Sequence, residues 1–204
     1  MCALTTAAAS AGSPDLPVLV FEVVDNGGIS DSSGQNLVGT TTVDVFFHNT
    51  GASSLAIAGF DFGAAGPGQT RRINVTPSAS LFNHPTGGDT RTPAWEGLFP
   101  TVAFDSFWVI GDQTVVFDGS VDLSGADGDV NARFRLDGGA SVNLLAGGEL
   151  RVARLTFLED DIDLSLPREF AVILSDGSEI VYLPAPGAAT VLGLGGLVAL
   201  RRRR

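Results

Sequence analysis

Between Leu16 and Tyr182 apolar and polar residues alternate with a period of two, and the apolar members are mostly β-branched or aromatic. In Thr42-Val43-Asp44-Val45-Phe46-Phe47-His48 this puts Val43, Val45 and Phe47 on one face. Further on, Ala132, Phe134 and Leu136 oppose Arg133 and Arg135. One buried and one wet face is the signature of strands in antiparallel sheets. The pattern predicts ten short strands near Val18–Val24, Thr40–His48, Leu55–Phe62, Arg72–Val75, Thr101–Ile110, Gln113–Phe117, Val130–Leu136, Leu150–Leu158, Glu169–Leu174 and Glu179–Leu183. Clusters of Gly, Asp, Asn and Ser separate them. No window of eleven or more residues in this body carries a helix period. The expected fold is therefore all-β: a two-sheet antiparallel sandwich of jelly-roll or immunoglobulin-like type over residues 16–183.

One segment breaks the rhythm. Residues 80–100 hold Pro85, Pro93 and Pro100 with Gly87, Gly88 and Gly97, and read as a loop of about 21 residues. Loops of that length in a compact domain are functional or mobile. This one carries an aromatic trio, Phe82, Trp95 and Phe99, and one of the two histidines, His84. Trp95, among Pro and Gly, is expected at the surface, whereas Trp108, in an apolar run, is expected in the core.

The two ends have a different character. Residues 1–11 are small and weakly apolar, and Ala9-Ser10-Ala11 offers the A-x-A pattern that signal peptidase reads. No basic stretch precedes it, so the segment is read as the remnant of a secretory signal whose true start lies upstream, with cleavage after Ala11. The plainer alternative is an Ala-rich terminus with no processing. Cleavage would remove Cys2, the only cysteine, and with it disulfide and thiol chemistry.

At the other end, Pro184-Ala185-Pro186-Gly187 leads into a 13-residue apolar run, Ala188 to Leu200, and then into Arg201-Arg202-Arg203-Arg204. As a helix this run would cover about 20 Å of a hydrocarbon core about 30 Å thick. Arginines behind an apolar run hold that end on the cytoplasmic side and leave the preceding domain outside. Gly193, Gly195 and Gly196 would each weaken such a helix by up to about 1 kcal/mol, which suits a segment that is opened and cut.

A Pro-x-Pro-Gly element, a short Leu/Gly/Ala helix and a terminal Arg cluster together resemble the PEP-CTERM sorting signal, whose members carry Pro-Glu-Pro where this chain has Pro184-Ala185-Pro186. The resemblance covers residues 183–204 and implies export, transient membrane retention and handling by an exosortase-type enzyme in a Gram-negative envelope. It divides the chain into a signal remnant (1–11), a β-sandwich domain (16–183) and a sorting tail (184–204) whose apolar helix precedes the arginines. A looser resemblance, carried by Val102 to Gly111 within a stretch of about 30 residues, is to exported proteins that bear the same tail, and it implies no activity.

Charge sharpens the division. The whole chain carries −11, with 12 arginines, no lysine and 23 acids; without the last four arginines, eight against 23 leave −15. An acidic body repels phosphate backbones, so nucleic acid is excluded as a partner. Nucleophilic hydrolysis needs a base beside the nucleophile, and the only candidates, His48 at a strand end and His84 in the loop, read as ordinary satisfied histidines. No Gly-x-Ser-x-Gly elbow is present. Calcium is the better chemical candidate: Asp122 to Asn131 alternates oxygen ligands in a Gly-rich loop, and Glu159-Asp160-Asp161-Ile162-Asp163 packs four carboxylates into five residues. Neither follows the order of an EF-hand loop, and solvated loop charge is the favoured reading of both. Sugar stacking on Trp95 is the third candidate. The sequence thus leads to a non-enzymatic, exported protein of the cell surface or extracellular matrix that needs no cofactor. The competing reading is a carbohydrate- or calcium-dependent binding module meeting extracellular polysaccharide.

Overall fold

The computed structural model describes residues 18–63, 71–76, 79–125, 128–159, 162–165, 167 and 169–182. Ala9 and Ala11, and the tail residues Pro184, Ala185, Pro186, Gly187 and Arg201 to Arg204, lie outside the described residues. Most of the period-two sequence becomes strand. In chain order the described strands are β1 (Leu19–Val24), β2 (Thr41–His48), β3 (Leu55–Asp61), β4 (Ile73–Thr76), β5 (Phe107–Trp108) and β6 (Val115–Asp122). They continue with β7 (Asp129–Leu136), β8 (Val142–Leu144), β9 (Glu149–Phe157), β10 (Asp163–Ser165), β11 (Phe170–Leu174) and β12 (Glu179–Tyr182). Every strand pairing among them is antiparallel.

The strands form two sheets. The first has the order β1-β2-β9-β5; the second runs β10-β4-β7-β3-β11-β12, with β6 added on β7 and β8 on β3. The alternation read from the sequence sets which faces meet. Val43, Val45 and Phe47 of β2 are buried against the other sheet, while Asp44 of the same strand points to the outer side, where it meets arginines. The layers join through aromatic rings. Phe47 of β2 sits edge-on to Phe60 of β3 at 5.5 Å, and Trp108 of β5 lies 5.1 Å from Phe134 of β7 and 5.3 Å from Phe62. The fold is all-β, two antiparallel sheets over one shared core, as expected.

Two expectations need correction. Thr101–Ile110 is not one strand: Pro100–Phe104 is a 3-10 helix and only Phe107–Trp108 is strand. Pro100 fixes the φ that opens the helical turn. The Asp105 carboxylate then takes backbone N–H groups from outside any ladder, as described below. The 80–100 segment is not wholly loop either, since Pro93–Glu96 forms a one-turn helix, α1, with Pro at its start. Two strands, β8 and β10, were not foreseen; each is three residues long and presents a single buried side chain, Leu144 or Leu164.

The topology gives the body two sides. Leu19 opens β1, an edge strand, and pairs with Phe47; the ring of Tyr182, which closes β12, lies 5.4 Å from that same Phe47. The first and last described strands, each at the end of its sheet, thus both reach Phe47 of β2. The other edge of the first sheet is β5, and against it packs the 80–106 segment.

Candidate functional site

Residues 80–106 form an ordered insert rather than a free loop. At its base Leu81 bridges Phe157, and Phe82 N–H donates to the Thr156 carbonyl at 2.6 Å. Further along, Thr90 bridges Trp108 and Trp108 N–H donates to the Asp89 carbonyl at 2.9 Å. The chain has thus doubled back along β5, covering the edge that would otherwise be open.

A buried polar clasp ties this insert to the β1–β2 connection. Asp31 starts a turn in which its Oδ1 accepts Ser33 N–H at 2.8 Å and the Ser33 hydroxyl at 2.5 Å. Its Oδ2 accepts the Thr101 hydroxyl. His84, fully buried, completes the set: Nε2 lies 3.0 Å from Ser33 Oγ and 3.4 Å from Asp31 Oδ2. Desolvation opposes ionisation of Asp31, but the hydroxyls of Ser33 and Thr101, the Ser33 N–H and the His84 ring outweigh it and hold the carboxyl well below the usual carboxylate range.

Ser33, His84 and Asp31 are the residue types of a hydrolase triad, but the polarity of the hydrogen bonds is wrong for one. Thr86 N–H donates to His84 Nδ1 at 3.1 Å, so Nδ1 is the lone-pair nitrogen and the proton sits on Nε2. A triad needs the carboxylate on one ring nitrogen and the hydroxyl on the other, free to give up its proton. Here both face Nε2, and the hydroxyl already donates to Asp31. The cluster is also sealed from solvent, with side-chain exposures of 0% for His84 and 1% for Asp31. It fixes the insert; it does not present a nucleophile. His84, expected as an ordinary loop histidine, is instead the centre of this clasp.

Asp105 holds the same segment from below. Its Oδ1 accepts His84 N–H at 2.8 Å and Ser106 N–H at 3.0 Å, and its Oδ2 accepts Gly88 N–H at 3.2 Å. Burial pushes its pKa up to about 6, with the neighbouring Asp89 adding to the rise and the three N–H donors opposing it. Gly87 is required beside it: a Cβ there would stand 1.6 Å from Asp105 Oδ2.

The outer side of the insert is joined to the first sheet by a charge ladder. Arg91 donates to Glu96 through Nε (2.9 Å) and Nη2 (3.2 Å), and to Asp112 through Nη1 (3.0 Å). Asp112 also accepts from Arg151, which reaches Asp44. Asp44 in turn receives two N–H bonds of 2.7 Å from Arg154, whose Nη1 donates to the Ala103 carbonyl. Such fork-to-carboxylate geometry orients both partners. On the second sheet, Asp61 takes Arg71 and Arg133. Arg135 pairs with Asp118 and Arg72 with Asp129, so each of the seven described arginines has a carboxylate partner.

The aromatic trio of the insert proves to be a file of rings with His84 inside it. Phe82 meets His84 at 6.3 Å, His84 meets Phe99 at 5.6 Å, and Phe99 meets Trp95 at 6.2 Å. Trp95, at the outer end on α1, is 42% exposed, and nearby in sequence Leu98 is 64% exposed. Trp108 is fully buried, as expected. His48 at the end of β2 pairs with Glu149 across the ladder at 2.9 Å.

In the first calcium segment two carboxylates are engaged with other partners. Asp122 caps its own turn by accepting Ser124 N–H, and Asp129 faces Arg72 at 2.5 Å and accepts the Asn131 amide at 3.2 Å. Asp127, Asp160 and Asp161 lie outside the described residues. Among the described residues no group of three or more His, Cys, Asp or Glu is arranged to hold a metal ion, and no helix is long and apolar enough to cross a membrane. Compared with family models, curated proteins and solved structures, the chain has no match.

Sequence reasoning located Trp95 and His84 but not Asp31, Ser33, Arg91, Glu96, Asp105 or Asp112. The one local signal was Asp31-Ser32-Ser33-Gly34, a run whose first side chain bonds its own backbone two residues on.

Proposed function

We propose that this chain is a non-enzymatic exported protein of the cell surface or extracellular matrix. Its body is a two-sheet sandwich of jelly-roll or immunoglobulin-like type, released from a secretory signal after Ala11. The tail holds it briefly in the membrane, where an exosortase-type enzyme recognises Pro184-Ala185-Pro186-Gly187, with Arg201 to Arg204 as the cytoplasmic stop. The observation that carries this reading is the tail itself: a globular domain has no use for four arginines behind an apolar run.

The body suits such an attachment. Its first and last described strands both reach Phe47 of β2, while the insert packs on the β5 edge of the first sheet. A molecule held by its tail turns the insert outward. Its acidic excess, −15 without the terminal arginines, keeps neighbouring copies apart.

The reading is testable with a single thiol. A Leu98→Cys chain, in the cells that make it, should react with a membrane-impermeant maleimide before lysis to the same extent as after, with the unaltered chain as control for Cys2. Labelling that occurs only after lysis contradicts surface placement.

A further inference from the structure

We propose that the face bearing Trp95 binds an uncharged polysaccharide, with the indole stacking on a sugar ring and the Arg91–Glu96–Asp112 group meeting its hydroxyls. Three observations lead there. Trp95 is held in place rather than free: its ring rests on Phe99, Phe99 rests on His84, and His84 is locked by the clasp, so little ordering entropy remains to be lost on binding. Beside it in the chain, Glu96 is fixed in a two-bond fork by Arg91, which also holds Asp112. The Asp112 side chain is 81% exposed, and its Oδ2 accepts no hydrogen bond among the described residues. An exposed indole, followed in the chain by a carboxylate that Arg91 orients, matches a sugar, which is apolar on its C–H face and bears hydroxyls at its rim.

Size decides against a protein partner. Trp95 and Leu98 together offer on the order of 200 Å² of apolar surface, against roughly 450 Å² of apolar surface per side in a stable protein interface. Charge selects among glycans. The ladder itself is balanced, Glu96, Asp112 and Asp44 against Arg91, Arg151 and Arg154, so the selection comes from the acidic body, which repels uronate- or phosphate-bearing chains and not neutral ones. The inference goes beyond surface placement and stands apart from the sorting tail, since the isolated chain binds or fails to bind wherever the cell puts it.

The test is affinity electrophoresis of the full chain in mild detergent, through gels containing laminarin, xyloglucan, mannan or dextran, with alginate as the acidic control. At least one neutral glycan is expected to retard the chain. Trp95→Ala should weaken that retardation about tenfold or more, and Trp95→Tyr should keep part of it. Trp95→Ala gives up the packing on Phe99, so melting curves of parent and variants are taken alongside, and a loss of retardation in a variant still folded at the gel temperature is read as a loss of binding. No retardation in any neutral glycan, equal retardation of parent and Trp95→Ala, or stronger retardation in alginate would overturn the proposal. Trp95-dependent self-association without glycan binding would overturn it in favour of a protein partner.

Discussion

Trp108→Ala is expected to destabilise the protein by about 3–5 kcal/mol, the largest effect of any single truncation considered. Trp108 carries the two-residue strand β5, against which the insert packs, into the shared core. It pairs with Ala153 of β9 and lies against Phe62 and Phe134 of the opposite layer. Truncation leaves a cavity between the sheets that neighbours fixed in two ladders cannot close. Trp108→Phe should be much milder, about 1–2 kcal/mol, because Trp108 Nε1–H has no hydrogen-bond partner in the core and its loss breaks no polar contact. Urea unfolding at constant m-value measures both. Equal losses in the two variants would mean that the indole N–H, not the ring volume, is what matters.

Lowering the pH from 7 towards 4 should stabilise the fold rather than weaken it, by on the order of 3 kcal/mol from Asp105 alone. The folded-state pKa of Asp105 is pushed from 3.8 up to about 6 by burial. A carboxyl with a raised folded pKa binds a proton more readily in the native state. Its stabilising contribution is therefore complete below its unfolded value near 4 and is lost as the pH rises through about 6. The groups facing it are the N–H donors of His84, Gly88 and Ser106, and Asp89, whose charge acts in the same direction as burial. Asp31 has the opposite sign. Its folded pKa is depressed, so its contribution is present above the usual carboxylate range and fades only as the pH falls through its low folded value. Stability should then peak between about pH 4 and 5. Asp105→Asn should flatten the rise between pH 4 and 6 while leaving the acid limb in place. A parent protein whose melting temperature falls steadily from pH 7 to 4 would contradict this account of the insert.

The sheets were legible because burial and strand period coincide. Val43, Val45 and Phe47 are buried and Asp44 meets arginines, as the alternation of β2 requires. The same rule misled at Thr101–Ile110. Val102 and Phe104 keep the strand period, but Pro100 opens a 3-10 helix and Asp105 diverts backbone N–H groups from the ladder. Contact with β9 as a strand begins only at Phe107 and Trp108, and Val109 N–H carries it on to the Val152 carbonyl. The clasp was not legible at all. Ser33 and His84 stand 51 residues apart and Asp31 and Thr101 stand 70 apart, so nothing local marks them as partners. An aspartate in a turn reads as a turn aspartate until the fold brings a histidine to it. Arg91, Glu96 and Asp112 were hidden in the same way, as three unremarkable surface charges on a segment read as loop.

The central claim, an outward-facing body delivered and trimmed at both ends, is tested most directly by the intact mass of the protein recovered from the cell-surface fraction. The account predicts a chain that begins at Gly12 and ends near Pro186 or Gly187, lacking Arg201 to Arg204. A full-length chain ending in Arg204 and found in the soluble fraction would contradict it.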